Sequence, residues 1–145
     1  MRRVRGSCGN HSRVSDGLTI SASVAADLAA HAAAELPNEA CGLLSGSAGH
    51  ATGFHPARNA ESSPYAYEVD PDDLVRIVLG IEANGEELVA IYHSHPRTAP
   101  VPSARDRRSA AYAVVYLIST PSEDGAIRAW RIDGGLAREV PLSIG

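Results

Sequence analysis

Residues 88–106 read LVAIYHSHPRTAPVPSARD, and they join a strongly apolar strand pattern to a compact set of metal-binding residue types. The continuously apolar segment at residues 88–92 is typical of a strand buried inside a sheet. His93 and His95 follow it two residues apart, where the chain is still expected to be extended, so both imidazoles face the same side. Asp106 lies eleven residues beyond His95. Two histidines and a carboxylate leave one position of a zinc tetrahedron for water, which predicts a catalytic metal site.

The same stretch fits the pattern H-x-H, seven residues, S-x-x-D, with Ser103 three residues before Asp106. The composition of the chain gives about 0.001 chance matches to this pattern, so the match is specific. Each residue taken alone also has a plainer interpretation. Ser103 and Asp106 fit a helix N-cap and its first-turn acid, and His93 and His95 fit structural histidines. A cap at these positions is compatible with a place in a catalytic site.

On both sides of this stretch, strand patterns alternate with helix patterns. Ser21 or Ser23 caps a helix that Pro37 ends, and Pro71 starts a second helix that stops at Asn84-Gly85. The predicted strands are residues 18–20, 40–45, 51–60, 65–69 (an edge strand), 88–92, 113–119, and a hairpin of 126–132 with 136–142; a short third helix follows Ser103. This layout predicts an α/β fold with a mixed β-sheet packed by helices.

The 145-residue chain has the length and composition of one globular domain. Its first fifteen residues contain four arginines and no acid, so we expect residues 1–16 to form a flexible basic tail before a single domain at 17–145. The net charge is −4 and the body is more acidic still, which makes nucleic acid a poor partner. The apolar runs are too short to span a membrane. The two cysteines, Cys8 and Cys41, suggest no disulfide framework, and we expect a cytoplasmic protein.

Glu39 stands directly before the predicted strand at residues 40–45, upstream of the two histidines, Ser103 and Asp106. With PNEACGLLSG (residues 37–46) and IYHSHP (residues 91–96) as its strongest blocks, the chain resembles the JAMM metallopeptidases, also called the MPN-plus or JAB1/MPN/Mov34 family, over about residues 18–142. The resemblance is nearest to the short, stand-alone bacterial members, whose pattern also includes Asn59, Pro64, Tyr67 and Asp70-Pro71.

The resemblance implies a cytidine-deaminase-like α/β sandwich that holds a Zn²⁺ ion. It implies His93, His95 and Asp106 as the zinc ligands, Glu39 as the general acid/base, and Ser103 as a hydrogen-bond donor to the oxyanion. Some of the bacterial members resemble the enzyme that releases cysteine from a sulfur-carrier protein. We therefore expect hydrolysis of an amide bond at the C-terminal Gly-Gly tail of a ubiquitin-like or sulfur-carrier protein. The alternative is a non-catalytic protein-binding module of the MPN fold.

Four further features keep two interpretations each. Glu39 by itself also fits a solvated acid at a helix end. Cys41 fits a core residue better than a thiol nucleophile, because it lies in an apolar strand. Ser94 faces away from the histidines and is expected to support the loop rather than contact substrate. The arginines near the site fit either a solvated charged face or a surface that recognises an acidic partner or a substrate carboxylate; they are Arg97, Arg105, Arg107 and Arg108.

Overall fold

Eight strands form a single mixed sheet in the computed structural model, which describes residues 17–121 and 126–145. The predicted α/β fold, a mixed sheet packed by helices, is confirmed. The basic tail predicted at residues 1–16, with Cys8, lies outside the described residues. The strands are β1 (Leu18–Ile20), β2 (Cys41–Ser47), β3 (His50–Ala57), β4 (Glu87–Ser94), β5 (Val115–Ser119), β6 (Ile127–Asp133), β7 (Leu136–Val140) and β8 (Leu142–Ile144), and the helices are α1 (Ala22–Glu35), α2 (Pro71–Ala83) and α3 (Ala104–Ser109).

The strand order across the sheet is β7-β6-β5-β4-β2-β3-β1-β8. β4 runs parallel to β5, and β1 runs parallel to both β3 and β8, whereas the other neighbouring strands are antiparallel. The edge strands β7 and β8 are separated in sequence by Pro141 alone, so the sheet curves until its two edges meet there. The backbone N–H of Leu18 donates a 3.0 Å hydrogen bond to the carbonyl of Pro141, which joins the first strand to this corner.

Alternate residues of the central strands face opposite sides of the sheet and build two cores. Leu44 of β2 and Tyr92 of β4 pack with α1. Cys41 of β2 packs on the other side with Ile77 of α2. Because Cys41 and His93 are cross-strand partners, His93 also faces the α2 side. No helix within residues 17–121 and 126–145 is long and apolar enough to cross a lipid bilayer.

Local signals in the sequence fix the ends of the main elements. The Ser21 hydroxyl caps α1, as expected of a serine directly before a helix. The Asp70 carboxylate caps α2, and Pro71 occupies its first turn, where a missing N–H costs no hydrogen bond. The hairpin between β6 and β7 turns at Gly134 and Gly135, whose φ angles of 59° and 81° favour glycine. The helices predicted at these positions, and the hairpin, are confirmed.

Two strand predictions are wrong. Residues 65–69 form no strand, and only Val69 makes an isolated bridge, with Asn59. The Asn59 side chain binds backbone groups of this segment instead, because its Oδ1 accepts from the N–H of Glu68 and its Nδ2 donates to the carbonyl of Ala66. The strand predicted at residues 136–142 is divided into β7 and β8 by Pro141, which has no N–H to pair.

Candidate metal centre

The end of β4 and the first turn of α3 bring three donor atoms to one point. Nε2 of His93 lies 3.1 Å from Nε2 of His95, and Oδ2 of Asp106 lies 3.1 Å from each of these nitrogens. Two ligands of a tetrahedral zinc ion, each about 2.0–2.1 Å from the metal, are about 3.3–3.4 Å apart. The three atoms therefore form a triangle close in size to one face of a metal tetrahedron, and the donor set fits a metal ion.

His95 is held by backbone groups that set its tautomer. Its backbone N–H donates a 2.7 Å hydrogen bond to the carbonyl of Ser119, which continues the pairing of β4 with β5. Its Nδ1 lies 2.8 Å from the carbonyl of Ala99. Because a carbonyl can only accept, Nδ1 carries the proton, and Nε2 presents its lone pair to the other two donors.

His93 is fixed by stacking. The ring of Tyr67 lies parallel to its imidazole, with centroids 4.2 Å apart and an angle of 17° between the planes. The buried Nδ1 of His93 has no hydrogen-bond partner among the described residues. The loop between β3 and α2, which was predicted to contain an edge strand, thus supplies an aromatic ring that orients one of the histidines.

Ser103 and Asp106 form a complete capping box at the start of α3. The Ser103 hydroxyl accepts a 3.0 Å hydrogen bond from the N–H of Asp106, and the N–H of Ser103 donates to Oδ2 of Asp106 at 3.0 Å. The capping interpretation of these two residues is therefore confirmed. Because the hydroxyl oxygen acts only as an acceptor in the cap, its proton remains available for donation, and Ser103 is exposed.

Glu39 lies beside the two histidines and is buried. Its carboxylate and the two imidazoles offer ligand atoms that all lie within 4.8 Å of one another, a group able to hold a metal ion. The residue is 4% exposed, and Oε1 has no hydrogen-bond partner among the described residues. The interpretation of Glu39 as a solvated helix-end acid is therefore wrong. The structure brings all five predicted site residues together.

Several backbone contacts fix the position of Glu39. Its N–H donates to the carbonyl of Ser63 at 2.8 Å, and its carbonyl accepts from Nδ2 of Asn59 at 3.0 Å. The next residue, Ala40, donates its N–H to the hydroxyl of Ser94 at 2.8 Å. The supporting role expected of Ser94 is confirmed. The contacts of Asn59 and Ser63 were not anticipated. The tendency of asparagine side chains to bind backbone groups in turns could have indicated the first, whereas Ser63 contributes only its backbone carbonyl, which has no sequence signal.

The pKa values of the two carboxyl groups in the site are shifted in opposite directions. Burial raises the pKa of Glu39 to about 8, and His95 only partly opposes this rise. Burial works in the same direction on Asp106, but its hydrogen bonds with His93 and His95 hold its pKa well below the usual range. Burial lowers the pKa of His93, which keeps this imidazole in the neutral form that binds metals. Asp106 is therefore the permanently charged carboxylate of the pair.

Cys41 has no part in this chemistry. It is fully buried, and its thiol donates toward the carbonyl of Arg58 at 3.5 Å. Burial raises its pKa to about 12, so the reactive thiolate is absent near neutral pH. The core interpretation of Cys41 is confirmed.

Comparison with protein families assigns the chain. Residues 21–133 match the model of the Prok-JAB family, the prokaryotic homologues of the JAB domain. The chain belongs to the Prok-JAB family. The matched range contains all five predicted site residues together with Asn59 and Tyr67.

The chain is also similar to named proteins, which support the predicted family resemblance. It is 42% identical over 117 residues to a desampylase of Haloferax volcanii, covering 78% of this chain and 83% of the relative. It is 32% identical over 132 residues to the CysO-cysteine peptidase of Mycobacterium tuberculosis, covering 88% and 90%. A probable TtuB-protein conjugate cleaving protease of Thermus thermophilus is 37% identical over 116 residues, covering 79% and 74%.

Solved structures share this Prok-JAB fold. The solution structure of a protein from Desulfitobacterium hafniense superimposes with a TM-score of 0.81 at 29% identity, covering 88% of this chain and 92% of that one. The crystal structure of a JAB1/MPN domain protein from Archaeoglobus fulgidus superimposes with a TM-score of 0.63 at 18% identity, covering 89% and 98%. The second likeness confirms the JAB1/MPN fold.

A cleft of about 570 Å³ adjoins the metal centre of this Prok-JAB domain. Tyr67, which stacks on His93, forms one wall, and Arg105, next to Asp106, lies at another. Ile91 and Tyr116 of the sheet lie at its apolar side, and Tyr112 lines it on the side of α3. The cleft therefore offers an apolar surface beside the candidate ligands.

Proposed function

We propose that this chain is a zinc-dependent metallopeptidase that hydrolyses an amide bond at the C-terminal Gly-Gly tail of a ubiquitin-like or sulfur-carrier protein. The observation that carries the proposal is the triangle of donor atoms, 3.1 Å on each side, next to a buried carboxylate oxygen of Glu39 that has no partner among the described residues. Metal ligands and a base in reach of the same point are what metal-assisted hydrolysis requires.

His93, His95 and Asp106 are the proposed zinc ligands. Oδ2 of Asp106 is as close to each histidine nitrogen as the two nitrogens are to one another. The backbone N–H of Ser103 donates a hydrogen bond to this oxygen and fixes its position. The ligand atoms of Glu39 and the two histidines lie within 4.8 Å of one another, a larger spacing than the 3.1 Å of the triangle. Glu39 is therefore proposed as the acid/base instead of a ligand. Two imidazoles and one carboxylate favour zinc among the common divalent ions and leave a position open.

The residues around the ion divide the proton transfers of amide hydrolysis. His93, His95 and Asp106 would hold the ion, which would supply the Lewis acidity that lets water lose a proton near neutral pH. The charge of a bound cation would lower the pKa of Glu39 from the value of about 8 that burial imposes, so that its carboxylate would accept the proton. Glu39 would then pass the proton to the leaving nitrogen, and the carbonyl carbon would gain oxygen as the carbon–nitrogen bond breaks. The Ser103 hydroxyl donates a hydrogen bond to the carbonyl oxygen, where negative charge develops.

The relatives support the substrate class. Their names refer to a CysO-cysteine peptidase and to cleavage of TtuB-protein conjugates. Glycine at the cleaved end fits this chemistry because only a residue without a side chain lets the backbone approach the ion closely. A cytoplasmic location belongs to the same proposal, because a reducing compartment preserves the free thiol of Cys41.

The non-catalytic alternative leaves the metal centre without a use. An uncompensated buried oxygen such as Oε1 of Glu39 costs about 1–3 kcal/mol, which a mere scaffold has no reason to retain. A role of Glu39 in proton transfer accounts for this buried, unpaired oxygen.

The test is cleavage of a small carrier protein that ends in Gly-Gly joined to cysteine or to a lysine side chain. Mass spectrometry should show release of the joined group by the zinc-loaded protein and none after treatment with a chelator. Glu39→Gln keeps the shape of the side chain but not its basicity, so this variant should bind zinc and cleave nothing. Unchanged turnover by the Glu39→Gln variant, or equal rates on casein and on the Gly-Gly conjugate, would contradict the proposal.

A further inference from the structure

The charge around the metal centre is opposite to the charge of the whole chain. The chain has 13 basic and 17 acidic residues and a net charge of −4. Residues 97–108, in contrast, contain four arginines and a single acid, Asp106. Asp106 is buried and faces His93 and His95, so it is not available to neutralise the arginines. The outer surface of this segment is therefore positive.

Most of this positive charge is not used inside the molecule. Arg105 pairs with Glu61 at 3.1 Å, across two partly exposed side chains. Among the described residues, the guanidinium of Arg107 donates to the carbonyl of Pro102 alone, at 3.4 Å. Arg97 and Arg108 are exposed, and no carboxylate of the described residues lies within ion-pair distance of them. Charges that stabilise no internal contact are available to a partner.

Exposed apolar side chains lie within this segment and just after it. Val101 is 40% exposed and Tyr112 is 43% exposed. Arginine and tyrosine are enriched at the centres of protein–protein interfaces, where they provide most of the binding energy. We call this surface the arginine rim, and it consists of Arg97, Val101, Arg105, Arg107, Arg108 and Tyr112.

The arginine rim borders the candidate site directly. Ala99, which accepts the hydrogen bond of His95, lies inside the same segment, as does Ser103. Arg105 and Tyr112 also line the cleft that Tyr67 shares with the metal centre. A protein whose short C-terminal tail reaches the metal must therefore rest its folded body on or beside this rim.

We propose that the arginine rim binds the folded body of the carrier protein through an acidic face of that body, while the tail enters the metal centre. The inference rests on the proposed function and adds the docking surface and its charge. Electrostatic complementarity of this kind increases the rate of encounter and weakens as salt screens the charges. The rim therefore acts on the recognition of the substrate, and the metal centre acts on its chemistry.

The test compares two substrates with the same Gly-Gly bond: a carrier–cysteine conjugate with an acidic surface, and a short peptide with the same tail and no folded body. Arg97→Glu combined with Arg108→Glu should raise KM for the carrier by about tenfold or more, leave kcat nearly unchanged, and leave peptide cleavage unaffected. The wild-type KM for the carrier should rise with salt, and that of the double variant should not. Arg108→Glu alone changes the net charge by two units, and its matched control is Arg138→Glu, which makes the same change in β7, outside the rim.

If the Arg97→Glu/Arg108→Glu variant lost equal activity on the carrier conjugate and on the peptide, the docking role would be overturned, because the arginines would then act at the cleaved bond itself. A similar effect of Arg138→Glu would also overturn it. Binding of the intact carrier to the Glu39→Gln variant, measured by calorimetry, separates this inference from the proposed function. Weaker binding after the two rim substitutions supports the rim even if no cleavage occurs, and unchanged binding refutes it even if cleavage is normal.

Discussion

The hydroxyl of Ser94 accepts a 2.8 Å hydrogen bond from the backbone N–H of Ala40, and this contact joins the two segments that form the candidate site. Ser94 stands between the two histidines, and Ala40 directly follows Glu39. The N–H of Ser94 also donates to the carbonyl of Ala40 at 3.0 Å, one step beyond the regular pairing of β2 with β4. The distance between Glu39 and the two histidines is thus set by backbone pairing and by one buried hydroxyl.

Ser94→Ala should loosen this junction. The substitution leaves the buried N–H of Ala40 without its acceptor, which costs about 1–3 kcal/mol of the free energy of unfolding. Denaturant titration measures that loss, and cleavage of a Gly-Gly conjugate should slow while the zinc content stays near one per chain. Ser47→Ala, at an exposed position of β2, is the matched control. An equally stable and active Ser94→Ala variant would show that the contact is incidental.

Asp106→Ala should remove the metal. Two imidazoles remain, and the loss of one of three protein ligands weakens binding steeply. Elemental analysis of protein purified without chelators should find about one zinc per chain in the wild type and far less in the variant. Asp133→Ala, in the β6–β7 turn region, controls for the lost carboxylate. Absence of metal from the wild-type protein would refute the assignment of the site.

Ser103→Ala should affect catalysis far more than stability. Loss of an oxyanion donor typically lowers kcat by about 10²–10³-fold, whereas loss of an N-cap costs about 1 kcal/mol of stability. Ser21→Ala removes a similar cap from α1, away from the site, and should lower stability without changing kcat. Measuring kcat and the melting temperature of both variants separates the two roles. If the activities of both fall in step with their melting temperatures, Ser103 serves only as a cap.

Acid should weaken the attachment of the loop between β3 and α2. The carboxylate of Asp73 accepts three hydrogen bonds from Arg58, two from the guanidinium and one from the backbone N–H, and they hold the pKa of Asp73 well below its ordinary value of 3.8. A depressed folded-state pKa contributes stability that is fully present above the unfolded value and is lost as the pH falls below it.

Asp73→Asn should therefore be less stable than the wild type at pH 7 and should lose less additional stability below about pH 4. Denaturant titrations of chelator-treated protein between pH 2 and 7 measure this difference, because removal of the metal excludes the contribution of ligand protonation. Asp72→Asn, one residue earlier and exposed, is the control. Parallel stability curves for the wild type and Asp73→Asn would contradict this role of Asp73.

Much of the local structure could be predicted because its causes are local. The apolar run at residues 88–92, Pro71 after Asp70, and the Asp133-Gly134-Gly135 turn each restrict the backbone within a few residues. The two-residue spacing of His93 and His95 likewise follows from the alternation of side chains along a strand. The Ser103–Asp106 cap closes over a single helical turn.

Only the tertiary structure decided how distant segments meet. Four hydrogen bonds of the Asn59 side chain determine the path of the loop at residues 59–68, and the alternating pattern of its sequence does not. The loop places the ring of Tyr67 on that of His93. The family resemblance indicated that Glu39 belongs with the histidines, but the contact between Ala40 and Ser94, 54 residues apart, is a consequence of how β2 and β4 pair. Alternation within a strand determines which side a residue faces, whereas the register between strands depends on packing and loop closure across the whole sheet, which no short sequence window contains.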